Sequence, residues 1–175
     1  MVTPPMNTAD HGMVEVYLKP GEVYLSSMPA KVSTVLGSCI SVTLFHRASG
    51  LGGICHAVLP EGREAKSRGG ELRYVDGAIG YLLEEFLKAG IRFDRLEAKL
   101  FGGAAMMVSR QRHDLSVGRQ NVAVAQQILK TSGVEISAAD VGGTEGRKIV
   151  FLTHTGVVWM KRLNKSELKS IFSVD

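Results

Sequence analysis

One amphipathic stripe, set among short segments of period two, narrows the fold more than any other feature. From Tyr74 onward Val75, Ile79, Leu82, Leu83, Phe86 and Leu87 fall on one side of a helix, and Gly90 follows where a left-handed cap is wanted. On both sides of this helix the pattern changes to strand alternation. Val14, Val16 and Leu18 alternate with polar residues and meet a turn at Lys19-Pro20-Gly21. A β region runs from Lys31 to Phe45, broken by Gly37, and another from Leu51 to Leu59, ended by Pro60. After the helix, Leu96 to Phe101 alternates as a strand and runs into Gly102-Gly103-Ala104-Ala105. A second helix is expected over about Asn121 to Ser132, closing on Gly133. Strands are expected at Val134 to Val141 and Lys148 to Thr153, the latter joined to Val157 to Lys161 through a turn containing Thr155 and Gly156. Leu163 to Phe172 reads as a short helix. The pattern predicts an α/β domain of the α+β type, with helices packed on a largely antiparallel mixed sheet.

With 175 residues, 45% hydrophobic and 22% charged, the chain has material for one core and not comfortably for two. A flexible tail is expected over residues 1–12, which are rich in Pro, Asn and Thr, and a single domain over residues 13–175. Two cysteines, Cys39 and Cys55, suit a reducing cytoplasm better than a disulfide scaffold. No run approaches the ~18 apolar residues that would span a bilayer. Met1 to Asp10 lacks the basic patch and apolar run of a signal peptide, so a soluble cytoplasmic protein without membrane insertion is expected. Lys and Arg number 21 against 17 Asp and Glu, a net charge of +4. The basic residues Arg63, Lys66, Arg68, Arg73, Lys161, Arg162, Lys165 and Lys169 are spread out and mixed with acids, which speaks against nucleic acid and for an acidic protein surface as partner.

Leu36-Gly37-Ser38-Cys39 places a thiol where a turn feeds a strand. Gly37 allows backbone angles in which successive N–H groups, those around Gly37, Ser38 and Cys39, converge on an anion, as an oxyanion requires. The residues after Cys39 are strand-forming, so this is not a strand-to-helix nucleophile elbow. His56, in Gly52-Gly53-Ile54-Cys55-His56, lies on the next predicted strand, and a hairpin would carry it beside Cys39 as a general base. Strand alternation turns Cys55 and His56 to opposite faces, which leaves Cys39 and His56 as the pair and argues against a zinc site built from Cys39, Cys55 and His56. His11, His46, His113 and His154 are less well placed. Ser33 and Thr34 precede the cysteine and offer hydroxyls that would fix the imidazole tautomer. Residue types alone leave open a small buried thiol at Cys39, a core histidine at His56 and ordinary strand hydroxyls at Ser33 and Thr34.

Taken together these motifs resemble the CheD family of chemoreceptor glutamine deamidases. The likeness rests on Leu36-Gly37-Ser38-Cys39, on Gly52-Gly53 with His56 and Leu59-Pro60, and on Ala98 to Ala104 with Met106. It extends to Gly118 with Asn121, and to Asp140-Val141-Gly142-Gly143 leading to Gly146-Arg147-Lys148. The resemblance implies a fold related to the deamidating bacterial toxins and a cofactor-free, metal-free cysteine hydrolase. Its substrates would be glutamines on the cytoplasmic helices of chemoreceptors, and a CheC-type phosphatase is a possible second partner. A non-catalytic adaptor that binds receptors or such a phosphatase is the alternative. By position, Cys39 matches the nucleophile and His56 the base. The family's third residue, a threonine six positions before the cysteine, falls on Ser33, with Thr34 one place on; register favours Ser33 and residue type favours Thr34. Gln120 stands where relatives often carry arginine.

Overall fold

The period-two run from Lys31 to Phe45 divides at residues 37–39 into two strands that belong to different sheets. This computed structural model describes residues 13–62, 71–105 and 116–172. The tail expected over residues 1–12, together with His11, Arg63, Lys66, Arg68, Met106 and His113, lies outside the described residues.

In chain order the strands are β1 (Val14–Tyr17), β2 (Val23–Ser26), β3 (Ala30–Leu36), β4 (Ile40–His46) and β5 (Leu51–Cys55). Helix α1 (Val75–Lys88) follows, then β6 (Glu97–Gly102), α2 (Val117–Thr131), β7 (Glu135–Val141), β8 (Gly146–Leu152), β9 (Val158–Leu163) and α3 (Lys165–Phe172). Strands β1-β3-β8-β9 form one sheet and β2-β5-β4-β6-β7 the other. Among the described strands only the β1–β3 and β6–β7 pairs are parallel. The α+β architecture with a largely antiparallel mixed arrangement therefore holds, with the strands shared between two sheets. Strand β2, absent from the sequence-based expectation, pairs with β5. The segment expected as one strand from Leu51 to Leu59 stops pairing continuously at Cys55, and beyond it only single bridges, Ile40 to Ala57 and Leu59 to Tyr74, continue the ladder.

Helix α1 begins after Tyr74 and buries Val75, Ala78, Ile79, Leu82, Leu83 and Phe86. Leu87, at the edge of the predicted stripe, is 59% exposed. Gly90, with φ 75°, ends the helix and donates its N–H to the Leu87 carbonyl. Helix α2 starts four residues before the expected Asn121, because Ser116 caps it by accepting from the Arg119 N–H.

These helices cover one face of the five-stranded sheet, where Ile40, Val42, Leu44 and Cys55 meet α1 and α2. The opposite face packs on the four-stranded sheet through Ile54 and Phe101 against Val32, Leu36, Ile149 and Phe151. Central strand β4 is thus covered on both sides, and only His46 of it is not buried. Close layering depends on Gly52 and Gly53. A Cβ on Gly53 would lie 2.8 Å from Leu82 Cδ2, and one on Gly52 would run into the backbone of Thr153, just past the end of β8. On the outer side of the four-stranded sheet, Leu168 of α3 packs with Val35 and Leu163. An ion cluster fastens the sheets at one end. Asp140 of β7 accepts from Arg147 of β8 at 2.8 Å and from Arg162 of β9 at 2.8 Å.

Candidate active site

Strands β4 and β5 form the expected hairpin, with Thr43 opposite Ile54. Two hydrogen bonds, Ile40 N–H to Ala57 O at 3.0 Å and Ala57 N–H to Ile40 O at 2.9 Å, extend the same register beyond the strand end. Continued one step each way, that register sets His56 opposite Ser41 and Val58 opposite Cys39. Cys39 and His56 are therefore diagonal neighbours on one face of the hairpin, a spacing that long side chains bridge. This face looks into the layer between the sheets, where half-buried Cys39 packs against the cluster of Leu36, Ile54 and Phe101. Cys55 looks the other way, into the core beneath α1 and α2. Burial pushes its thiol up to about 12. Cys55 and His56 thus face opposite layers and cannot ligate one ion together.

His56 lies one residue past β5, gripped through its backbone. Its N–H donates to the Glu22 carbonyl at 2.9 Å and its carbonyl accepts from the Gly21 N–H at 2.8 Å. His56 is 2% exposed, and its Nδ1 lies 2.7 Å from Thr34 Oγ1. The Thr34 hydroxyl donates its single proton to the Leu18 carbonyl at 2.7 Å, so its oxygen is left to accept. Nδ1 therefore carries the imidazole proton, and Nε2 carries the lone pair. Nε2 has no hydrogen-bond partner among the described residues. Desolvation by burial drives the imidazole down from 6.5 to about 4, against the opposing pull of the Leu18 carbonyl and the charge of Glu22.

Of the two candidate hydroxyls, it is Thr34 that meets His56; Ser33, which register favoured, does not. The reason is the pleat of β3. Val32, Thr34 and Leu36 point between the sheets, whereas Ser33 shares the outer face with Val35, which packs under α3.

Around Cys39 the turn from β3 to β4 has its carbonyls tied down. Gly37 O accepts from Ala104 N–H at 2.9 Å and Cys39 O from Gly103 N–H at 2.8 Å. Ser38 O accepts from the side chain of Asn121 at 3.0 Å. The N–H groups of Ser38 and Cys39 donate to no other residue among those described. Burial raises the Cys39 thiol above its ordinary 9.0, with its own backbone N–H opposing that rise. Thiol and imidazole are both neutral at pH 7. Sequence reading missed three participants: the Leu18 carbonyl, Glu22 and Asn121. The last appeared there only as part of a motif, because an asparagine on a helix carries no sign of what its amide will reach. His46, bonded through Nδ1 to Ser49 Oγ at 2.8 Å, is exposed and outside the site.

Comparison with known proteins shows the family of the chain. The model of the CheD family, described as CheD chemotactic sensory transduction, matches residues 58–162. A Geobacter sulfurreducens protein named "Probable chemoreceptor glutamine deamidase CheD 2" is 48% identical over 93% of this chain and 99% of its own length. A relative from Thermococcus kodakarensis, "Probable chemoreceptor glutamine deamidase CheD", is 38% identical over 89% of this chain and 97% of its own. The chain belongs to the CheD family. Among solved structures, the Bacillus licheniformis hypothetical protein YfiH aligns with a TM-score of 0.46 at 11% identity, covering 70% of this chain and 50% of that one.

Proposed function

We propose that this protein converts glutamine side chains on the cytoplasmic helices of chemoreceptors to glutamate, with Cys39 as nucleophile and release of ammonia. The observation that carries the reading is the imidazole of His56, fixed by Thr34 with its basic Nε2 unpartnered, on the same hairpin face as Cys39. The names of the relatives supply the substrate class.

Chemistry starts from a neutral pair. His56 Nε2 takes the Cys39 proton as sulfur attacks the carboxamide carbon, giving a tetrahedral oxyanion for which the N–H groups of Ser38 and Cys39, committed to no other described residue, are the donors. An imidazolium buried in this setting is a strong acid, since its neutral form is favoured down to about 4. It therefore gives its proton readily to the departing amine, the C–N bond breaks, and a thioester remains. Water, deprotonated by the same Nε2, adds to the thioester. Collapse returns the thiol and leaves a glutamate side chain. Each turnover consumes one water and releases one ammonia.

Glutamate- and glutamine-rich receptor helices suit a chain with a net charge of +4. A receptor cytoplasmic fragment incubated with the protein is expected to release ammonia and gain the mass of a carboxamide-to-carboxylate change at discrete glutamines. Cys39→Ala and His56→Ala abolish both signals. Cys55→Ala, at a cost of about 1 kcal/mol in stability, leaves them intact. Full activity in Cys39→Ala would sink the assignment, and tight receptor binding without any ammonia would instead fit an adaptor.

A further inference from the structure

Asn121 is completely buried on α2, and its amide reaches two backbone carbonyls on separate segments. Nδ2 donates to Ser38 O at 3.0 Å and to Val58 O at 3.0 Å. A carboxamide has two N–H donors and carbonyls only accept, so both hydrogens are committed and the orientation of the amide is fixed. Its Oδ1 is left buried with no partner among the described residues.

The Ser38 carbonyl belongs to the same peptide plane as the Cys39 N–H. In a trans peptide these two groups point in opposite directions. Holding Ser38 O toward α2 therefore turns the Cys39 N–H away from α2, and that N–H donates to no other residue among those described. Val58 is the position that the hairpin register sets opposite Cys39. One side chain thus pins the nucleophile's turn and the segment after the base, just where the ladder opens beyond Ile40 and Ala57.

Packing delivers Asn121 to this place. One turn earlier on α2, a Cβ on Gly118 would sit 2.6 Å from Gly103 O and 2.8 Å from Ala104 O, so the helix can approach only with glycine there. Gly103 and Ala104 in turn hold the carbonyls of Cys39 and Gly37. Carbonyls 37, 38 and 39 are thus all anchored, the middle one by a side chain alone.

We infer that Asn121 is a positioning residue that aims the Cys39 N–H at the oxyanion formed during attack. This rests on Cys39 being the nucleophile. Three readouts test it on the full-length protein: ammonia release from a receptor fragment, the rate of Cys39 alkylation by iodoacetamide, and inhibition by a receptor-derived peptide whose target side chain ends in an aldehyde. The aldehyde forms a tetrahedral adduct with the thiol and needs the oxyanion donors; alkylation does not.

In Asn121→Ala, kcat is expected to fall about a hundredfold and the aldehyde to lose affinity in parallel, while KM and the alkylation rate stay within about threefold. Asn121→Ser, a milder truncation, is expected to show the same pattern and serves if the alanine variant does not fold. Cys39→Ala in the same assay separates the two ideas. If it retains activity, the nucleophile is wrong and the role of Asn121 falls with it. If it is inactive while the Asn121 variants turn over like wild type, or lose alkylation as steeply as turnover, the inference about Asn121 alone is overturned.

Discussion

Acidification from pH 7 to 4.5 tests the resting state of the site, because the buried imidazole of His56 binds its proton at about 4 instead of 6.5. Between those values the unfolded chain holds a proton that the folded protein rejects, so stability rises with pH across this window. The full stabilisation is present above 6.5 and is lost as the pH approaches 4. At about 1.36 kcal/mol per pH unit the whole gap is worth about 3 kcal/mol, of which about 2 kcal/mol is lost between pH 7 and 4.5. Urea denaturation of wild type and His56→Gln at both values isolates it. Wild type is expected to lose about 2 kcal/mol more than the variant, which has no imidazole to protonate. Equal losses in the two proteins would refute the account of a buried neutral base.

The same protonation state shapes activity. With His56 neutral down to about 4 and the Cys39 thiol raised above 9.0, the proposed pair starts neutral and not as a preformed thiolate–imidazolium pair. Ammonia release, corrected for the folded fraction, is expected to stay level well below pH 6 and to turn down only near the acid limit. Iodoacetamide alkylation of Cys39 is expected to be slow at neutral pH and to climb into the alkaline range. An alkylation inflection below about pH 7 signals a stable ion pair and overturns this part of the reasoning.

Thr34→Val keeps the β-branched shape, removes the hydroxyl between Leu18 O and His56 Nδ1, and is expected to cost about 2 kcal/mol in chemical melts and tenfold or more in kcat. Ser33→Ala, on the outer face, is expected to leave kcat unchanged. Glu22→Gln removes a charge that raises the His56 value, so NMR titration of the imidazole is expected to move further down and ammonia release to slow. Asp140→Ala strands the Arg147 guanidinium, whose side chain is 3% exposed, and is expected to cost about 3 kcal/mol by urea melt.

How much of this was legible follows from the range of the interactions involved. The placement of Cys39 and His56 on one face depends on a hairpin between neighbouring strands, and period two settles which face each residue takes, so that placement was legible in the sequence. Choosing between Thr34 and Ser33 depends on which face of β3 turns toward β5 across the inter-sheet layer. That is decided by α3 covering Val35 and by β8 pairing with Lys31 through Leu36, contacts formed with residues more than a hundred positions away. A period-two pattern is silent about them. Strand β2 escaped notice because Val23, Tyr24 and Leu25 are too few to show a period, and its pairing with Gly52 and Gly53 shows only in three dimensions. The division into two sheets was hidden for a related reason: Gly37 announces a break in the chain but not that the two sides part company. That break has a mechanical consequence. The Thr34 hydroxyl comes from one sheet, the His56 imidazole from the end of a strand in the other, and the Cys39 thiol sits on the connection between them, so the geometry of the proposed site and inter-sheet packing are a single property. Proton uptake by His56 accordingly is expected to act on both at once, since charging the imidazole removes the proposed base and places an ion in the layer that holds the sheets together.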